Sequence, residues 1–181
     1  MNKAIFLDRD GTINVERNYL YKPEDWEWIE GSIEAIKGFN TLGYLVVVIT
    51  NQAGIARGLY SCKDVDCLHN YVNELLNAAG AHIDSYYYCP HHPLFGDMQE
   101  CQCRKPKPGL LFKAQEELNI NLACSYLIGD KASDIRAGYE AGVTPILVAT
   151  GYGRRELEQI EKKTLVADNL YQAYKIIEDL H

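Results

Sequence analysis

The sequence predicts an α/β fold: a three-layer, doubly wound, Rossmann-like sheet, mostly parallel, with helices on both faces. Three observations carry this. Short apolar runs recur at Ala4–Leu7, Tyr44–Ile49, Ile83–Cys89, Tyr126–Ile128 and Pro145–Val148. Segments with helical spacing of apolar residues lie between them. The runs are largely continuous rather than alternating, as in strands buried on both faces. Strands alternating with helices give a parallel sheet covered on two sides.

Each helix has its own signals. Ser32 reads as the N-cap of the first, which carries Ile33, Ile36 and Phe39 and stops at Gly43. Ser61 caps a second, with Val65, Leu68, Val72, Leu75 and Leu76 on one face and Gly80 near its end. Pro108 suits the first turn of a third, which carries Leu111, Ala114 and Leu118. Asp134–Ala141 reads as a fourth, closed by Gly142, and Leu170, Ala173, Ile176 and Ile177 mark the last. Residues 90–108 form the one long irregular stretch, and loops longer than about 12–15 residues inside a domain are usually functional.

The 181 residues suit one domain. The formal charge of −7 disfavours nucleic acid and anionic membrane as main partners. The first apolar run, Ala4–Leu7, meets the charges of Asp8, Arg9 and Asp10 and is too short for a signal peptide. No run approaches the about 20 residues of a membrane span. A cytoplasmic protein is expected, in which the six cysteines stay reduced.

In a parallel sheet, ligands bind beyond the carboxyl ends of the strands. Asp8-Arg9-Asp10-Gly11 follows the first run. Two carboxylates so close repel unless a cation sits between them, and Mg²⁺ prefers such oxygen ligands. Asp130, after the fourth run, is placed as a third carboxylate. Asp134 reads as a helix cap or a residue behind the metal. Thr50-Asn51-Gln52 follows the second run and offers a hydroxyl and two amides to a phosphate. Arg104 and Lys105 precede a helix N-terminus, itself favourable to anions.

The long loop opens with Cys89-Pro90-His91-His92 and closes with Cys101-Gln102-Cys103. Thiols and imidazoles at this density point to zinc. In extended chain alternate side chains share a face. Cys89 and His91 then point together, as do Cys101 and Cys103, and His92 faces away. Four protein ligands close a site, which makes the zinc structural. Its effect is to pin the loop and fix Arg104 and Lys105. Cys62, Cys67 and Cys124 read as packing residues.

Asp8, Asp10, Thr50, Lys105 and Asp130, in this order after successive strands, resemble the motifs of the haloacid dehalogenase superfamily of phosphohydrolases. The resemblance implies Asp8 as nucleophile and Asp10 as general acid and then base. It implies Mg²⁺ on Asp8, the Asp10 carbonyl and Asp130, and Thr50 and Lys105 on the phosphoryl group. Asp8–Asn14, Thr50–Gly58, the cysteine loop and Cys103–Pro106 are similar, within that superfamily, to the D-glycero-D-manno-heptose 1,7-bisphosphate 7-phosphatases. These lack a cap domain, and no segment here is long enough to supply one. Arg9, Glu16, Tyr19, Asn51, Gln52, Arg104 and Lys131 are then expected on the substrate. The expected product is heptose 1-phosphate for nucleotide-activated heptose synthesis, leading to lipopolysaccharide or other surface glycans; the anomer stays open. A monomer is expected. Histidinol-phosphate phosphatases share the scaffold and zinc loop, but match Gly54–Gly58 and Cys89–Pro93 less well. Receiver-type signalling domains also use an acidic pair, a Thr, a Lys and Mg²⁺, but with the phosphorylated Asp after a later strand.

Overall fold

The computed structural model describes residues 1–181. Its centre is one parallel sheet of six strands: β1 (Ala4–Leu7), β2 (Leu45–Asn51), β3 (Ser85–Cys89), β4 (Tyr126–Gly129), β5 (Thr144–Val148) and β6 (Leu165–Ala167). The order is β3-β2-β1-β4-β5-β6, with every neighbouring pair parallel. The reversal of order lies beside β1, where a ligand crevice is expected.

Six helices flank the sheet: α1 (Ser32–Thr41), α2 (Cys62–Ala78), α3 (Gly109–Leu118), α4 (Ala132–Ala141), the single turn α5 (Gly153–Glu156) and α6 (Leu170–Leu180). The alternation of β1 shows why its apolar run is unbroken. Ile5 and Leu7 pack in a core with Phe39 of α1, Val72 and Leu76 of α2 and Ile177 of α6. Ala4 and Phe6 pack in a second core with Leu111 and Ala114 of α3 and Ala137 of α4. Burying one large apolar side chain contributes about 1.5–3 kcal/mol. Both faces of β1 are therefore held, and the turn that follows it rests on the most constrained part of the fold.

Several boundaries differ from expectation. Ser32 is the first residue of α1 rather than its cap; Gly31 occupies the cap with φ +82°, which a side chain would disfavour. Pro108 is the residue before α3 rather than inside its first turn. Asp134 is the third residue of α4, not its cap, and its carboxylate reaches back to accept the Lys131 backbone N–H at 3.0 Å. Ser61 does cap α2: its Oγ accepts Asp64 N–H, while Asp64 Oδ2 accepts Ser61 N–H at 2.7 Å. Thr50 and Asn51 lie at the end of β2 rather than beyond it. Neither β6 nor α5 was among the expected elements. The two longest connections on the site side, residues 8–31 and 90–108, both leave the carboxyl edge of the sheet.

Candidate active site

The register of the sheet builds the first cluster. Leu7 pairs with Ile128, and the Asp8 N–H donates to the Ile128 carbonyl at 2.9 Å. Asp8 and Asp130 thus leave adjacent strands side by side. Their carboxylates and that of Asp134 bring oxygens within 4.8 Å of one another. Lys105 enters this group from the long loop. Its Nζ lies 2.9 Å from Asp8 Oδ1 and 2.7 Å from Asp134 Oδ1, and donates to the Ile49 carbonyl at 2.7 Å. Burial opposes the Lys105 charge, but Asp134 and Asp8 outweigh it and raise the lysine above its ordinary range. Burial and then the Asp8 charge push the Asp130 carboxyl up to about 8.

This cluster fits a divalent cation. Asp130 Oδ1 is buried and has no hydrogen-bond partner. Its other oxygen accepts the Tyr152 N–H at 2.8 Å. Gly11 and Gly151 close over the carboxylate, and a Cβ on either would fall 2.2 or 2.1 Å from Asp130 Oδ2. A cation would relieve the charge pressure on Asp130 and occupy its free oxygen.

Asp10 is held on a different footing. Arg9 grips it at 3.0–3.2 Å, Asn14 Nδ2 donates to it at 3.0 Å, and Gln52 Nε2 at 3.2 Å. Burial works against its charge, yet Arg9 and these donors keep its pKa below the ordinary carboxylate value.

A cleft of about 460 Å³ opens over these groups. Asp8, Asp10, Glu16, Tyr19, Thr50, Asn51, Gln52, Arg104, Lys105 and Lys131 all line it. Arg9 does not. Expected on the substrate, it is buried under Asp10, where it also donates to the Leu20 carbonyl at 2.8 Å. Asn51 lines the cleft while pairing with the backbone of Lys105, donating to its carbonyl at 3.2 Å and accepting its N–H at 3.1 Å. Lys131 Nζ lies 3.5 Å from Glu16 and over the Tyr152 ring. Asn18, Ala53 and Asp134 line it as well, as do Tyr60, His92, Ser133 and Tyr152, which were not expected on the substrate from sequence. The alternation that pairs His91 with Cys89 points His92 the other way, so that signal was available for His92. At the rim, Arg57 lies between the rings of Tyr19 and Phe95, at 5.4 and 4.6 Å, and ties two loops together.

The second cluster lies behind Arg104. The ligand atoms of Cys89, His91, Cys101 and Cys103 sit within 4.8 Å of one another. Cys89 Sγ is 3.6 Å from Cys101 Sγ and 3.2 Å from Cys103 Sγ, and His91 Nδ1 is 3.3 Å from Cys103 Sγ. All six cysteines are free thiols. Four such atoms with no disulfide among them fit a tetrahedral zinc. Arg104 Nη1 donates to the His91 carbonyl at 3.1 Å, so the loop and the cleft share a wall.

The chain aligns over 183 residues at 41% identity with the D-glycero-β-D-manno-heptose-1,7-bisphosphate 7-phosphatase of Pasteurella multocida, covering 99% of this chain and 94% of that one. The chain belongs to this heptose bisphosphate phosphatase family. The corresponding phosphatase of Escherichia coli K12 is 44% identical over 82% of this chain and 80% of its own. The HAD-hydrolase-like family model matches residues 102–173. Among solved structures, a D,D-heptose 1,7-bisphosphate phosphatase from B. bronchiseptica, complexed with magnesium and phosphate, superposes with a TM-score of 0.91 at 33% identity and 99% coverage of both chains. One from Burkholderia thailandensis gives 0.75 at 32% identity, covering 98% of this chain and 99% of its own. The enzyme is a phosphoric monoester hydrolase, and the fold expected from its sequence is the fold of this family.

Proposed function

We propose that this enzyme removes the 7-phosphate of D-glycero-β-D-manno-heptose 1,7-bisphosphate and releases heptose 1-phosphate. The observation that carries the reading is Asp8: a buried carboxylate, 2.9 Å from Lys105, on the floor of a cleft whose walls offer two further cations, Arg104 and Lys131. The β anomer is the one named for the relatives in Pasteurella and Escherichia.

Asp8 is the nucleophile. Its carboxylate forms an oxygen–phosphorus bond as the bond from phosphorus to the sugar O7 breaks. Asp10, ionised in the free cleft beside Arg9, takes up a proton as the anionic bisphosphate binds next to it and gives that proton to the leaving oxygen. In the second half it takes a proton from the water that attacks the aspartyl-phosphate, which restores Asp8. Splitting one displacement into two lowers each barrier. Lys105 and Thr50 hold the phosphoryl oxygens. Phosphoryl transfer depends mainly on positioning and charge stabilisation, which these groups provide. Glu16, Tyr19 and Gln52 line the sugar path, and Arg104 meets the 1-phosphate with a planar, bidentate donor.

Asp8, Asp130 and the Asp10 carbonyl would hold Mg²⁺, which would supply positive charge against the phosphoryl oxygens. Cys89, His91, Cys101 and Cys103 would hold a Zn²⁺ whose role is structural, since four protein ligands leave no open position. The chain works as one phosphatase domain with a zinc loop at 89–105. We place it in the cytoplasm, consistent with its free thiols, and read it as a monomer.

Phosphate release is measured on both anomers of the bisphosphate, on histidinol phosphate and on hexose phosphates. The β anomer is expected to be preferred. Histidinol phosphate turned over as fast as the β bisphosphate overturns the assignment.

A further inference from the structure

Arg9 is among the largest side chains fully withdrawn from solvent, at 1% exposure. It spends Nε and Nη2 on Asp10, and Nη2 also on the Leu20 carbonyl and, at 3.4 Å, on Gln52 Oε1. Its remaining nitrogen, Nη1, meets one acceptor, Nε2 of His69, at 3.4 Å.

His69 stands in the middle of α2, buried, with its ring stacked on Tyr86 at 4.2 Å and 16° and edge-on to Tyr88 at 6.0 Å. Tyr86 is itself anchored by donation to Asn73 Oδ1 at 3.0 Å. Burial first, and then the Arg9 cation, press the imidazole pKa down to about 3, so the ring is neutral. A neutral ring accepts at only one nitrogen, and next to a guanidinium that nitrogen is Nε2. A residue chosen for packing alone need not offer a lone pair to the one buried donor left over.

We propose that His69 is a positioning residue for proton transfer: it fixes the turn of the Arg9 guanidinium, and Arg9 fixes the carboxylate of Asp10. The contacts to Asp10 and Leu20 all lie on the Nε and Nη2 side of the guanidinium. Without an acceptor for Nη1 the plane is free to rotate toward one, and Asp10 turns with it. This inference rests on the reading of Asp10 as the acid for the leaving oxygen.

The test is the rate of the first transfer step in single-turnover measurements with two leaving groups. The heptose bisphosphate releases an alkoxide that needs a proton; 4-nitrophenyl phosphate releases a phenolate that does not. His69→Leu keeps the packing and removes the acceptor. It is expected to slow the bisphosphate step about 10-fold, a fraction of what general acid catalysis supplies. KM and the 4-nitrophenyl phosphate step should each stay within about twofold. His69→Gln, which carries an acceptor of similar reach, is expected to restore the rate. Equal losses on both substrates, or no loss on either, overturn the proposal. Asp10→Asn is run alongside. If it fails to discriminate the two leaving groups, the reading of Asp10 falls; if it discriminates and His69→Leu does not, only the role of His69 falls. Should His69→Leu not fold, His69→Asn, too short to reach Nη1, must show the selective loss that His69→Gln lacks.

Discussion

The two clusters at the carboxyl edge of the sheet are built in opposite ways. The carboxylate cluster is assembled by topology. Asp8 comes from β1 and Asp130 from β4, far apart in sequence, and Lys105 from a loop between β3 and α3 joins them. The thiol cluster is local: Cys89, His91, Cys101 and Cys103 belong to one strand end and one loop. The first is as rigid as the sheet. The second depends on one strand end and one loop alone. They meet at Cys103-Arg104-Lys105, where the lysine that joins the carboxylate cluster follows the thiol loop directly.

Substitutions that separate the two clusters test this contrast. Asp8→Asn should produce the largest effect, a fall in turnover of about 10³-fold or more, because no other group replaces the nucleophile. Steady-state phosphate release checks it, and activity within tenfold of the wild type sinks the nucleophile assignment. Cys103→Ser should drop bound zinc from about one per chain to near zero and lower turnover about 10–100-fold, the range typical of lost support around a site. Far-UV circular dichroism should stay unchanged, since the sheet does not depend on the loop. Full activity without zinc would show that the loop does not hold Lys105.

A third test uses acid. The unfolded chain protonates His69 below about 6.5 and the fold does not until about 3. Stability from this residue is therefore complete above pH 6.5. It falls as the pH drops through that window, by about 1.4 kcal/mol per unit, because the unfolded state binds the extra proton. Urea melts of wild type and His69→Gln between pH 4 and 7 should show a shallower slope in the variant; parallel slopes would refute the buried neutral imidazole. The smallest effect expected is for Arg104→Ala: KM for the bisphosphate up about 10-fold with kcat within twofold, the loss of one charged hydrogen-bonding partner. An unchanged KM would remove Arg104 from the substrate.

Much of this was legible in the chain because physical rules of short range decide it. β1, β2, β4 and β5 are apolar on both faces, so their runs stand out, and chemistry-bearing residues follow them. The thiol cluster was legible from the density of cysteine and histidine in one loop, and alternation chose His91 over His92. β6 was not legible, because Leu165-Val166-Ala167 is a run of only three, flanked by polar residues, with Leu165 and Val166 36% and 44% exposed at the sheet edge. α5 is a single turn with no room for periodicity. Arg9 misled for another reason. A cation between two aspartates reads as an anion ligand, and nothing local says that the turn sends it inward to Leu20 and His69. The partners of a buried polar group are set by packing between distant elements, and α2 lies far from Arg9 in sequence.

The strand order also governs when the molecule becomes competent during its own synthesis. β1 is translated early but waits for β4, its neighbour, and at the usual speed of about 5–20 residues per second Asp8 precedes Asp130 by about 6–24 seconds. Over that interval one edge of β1 is open and the carboxylate cluster lacks Asp130. The carboxylate cluster therefore forms late, after closure of the sheet, and a chain stalled on the ribosome before Tyr126 lacks Asp130 and has a central strand paired on one edge only.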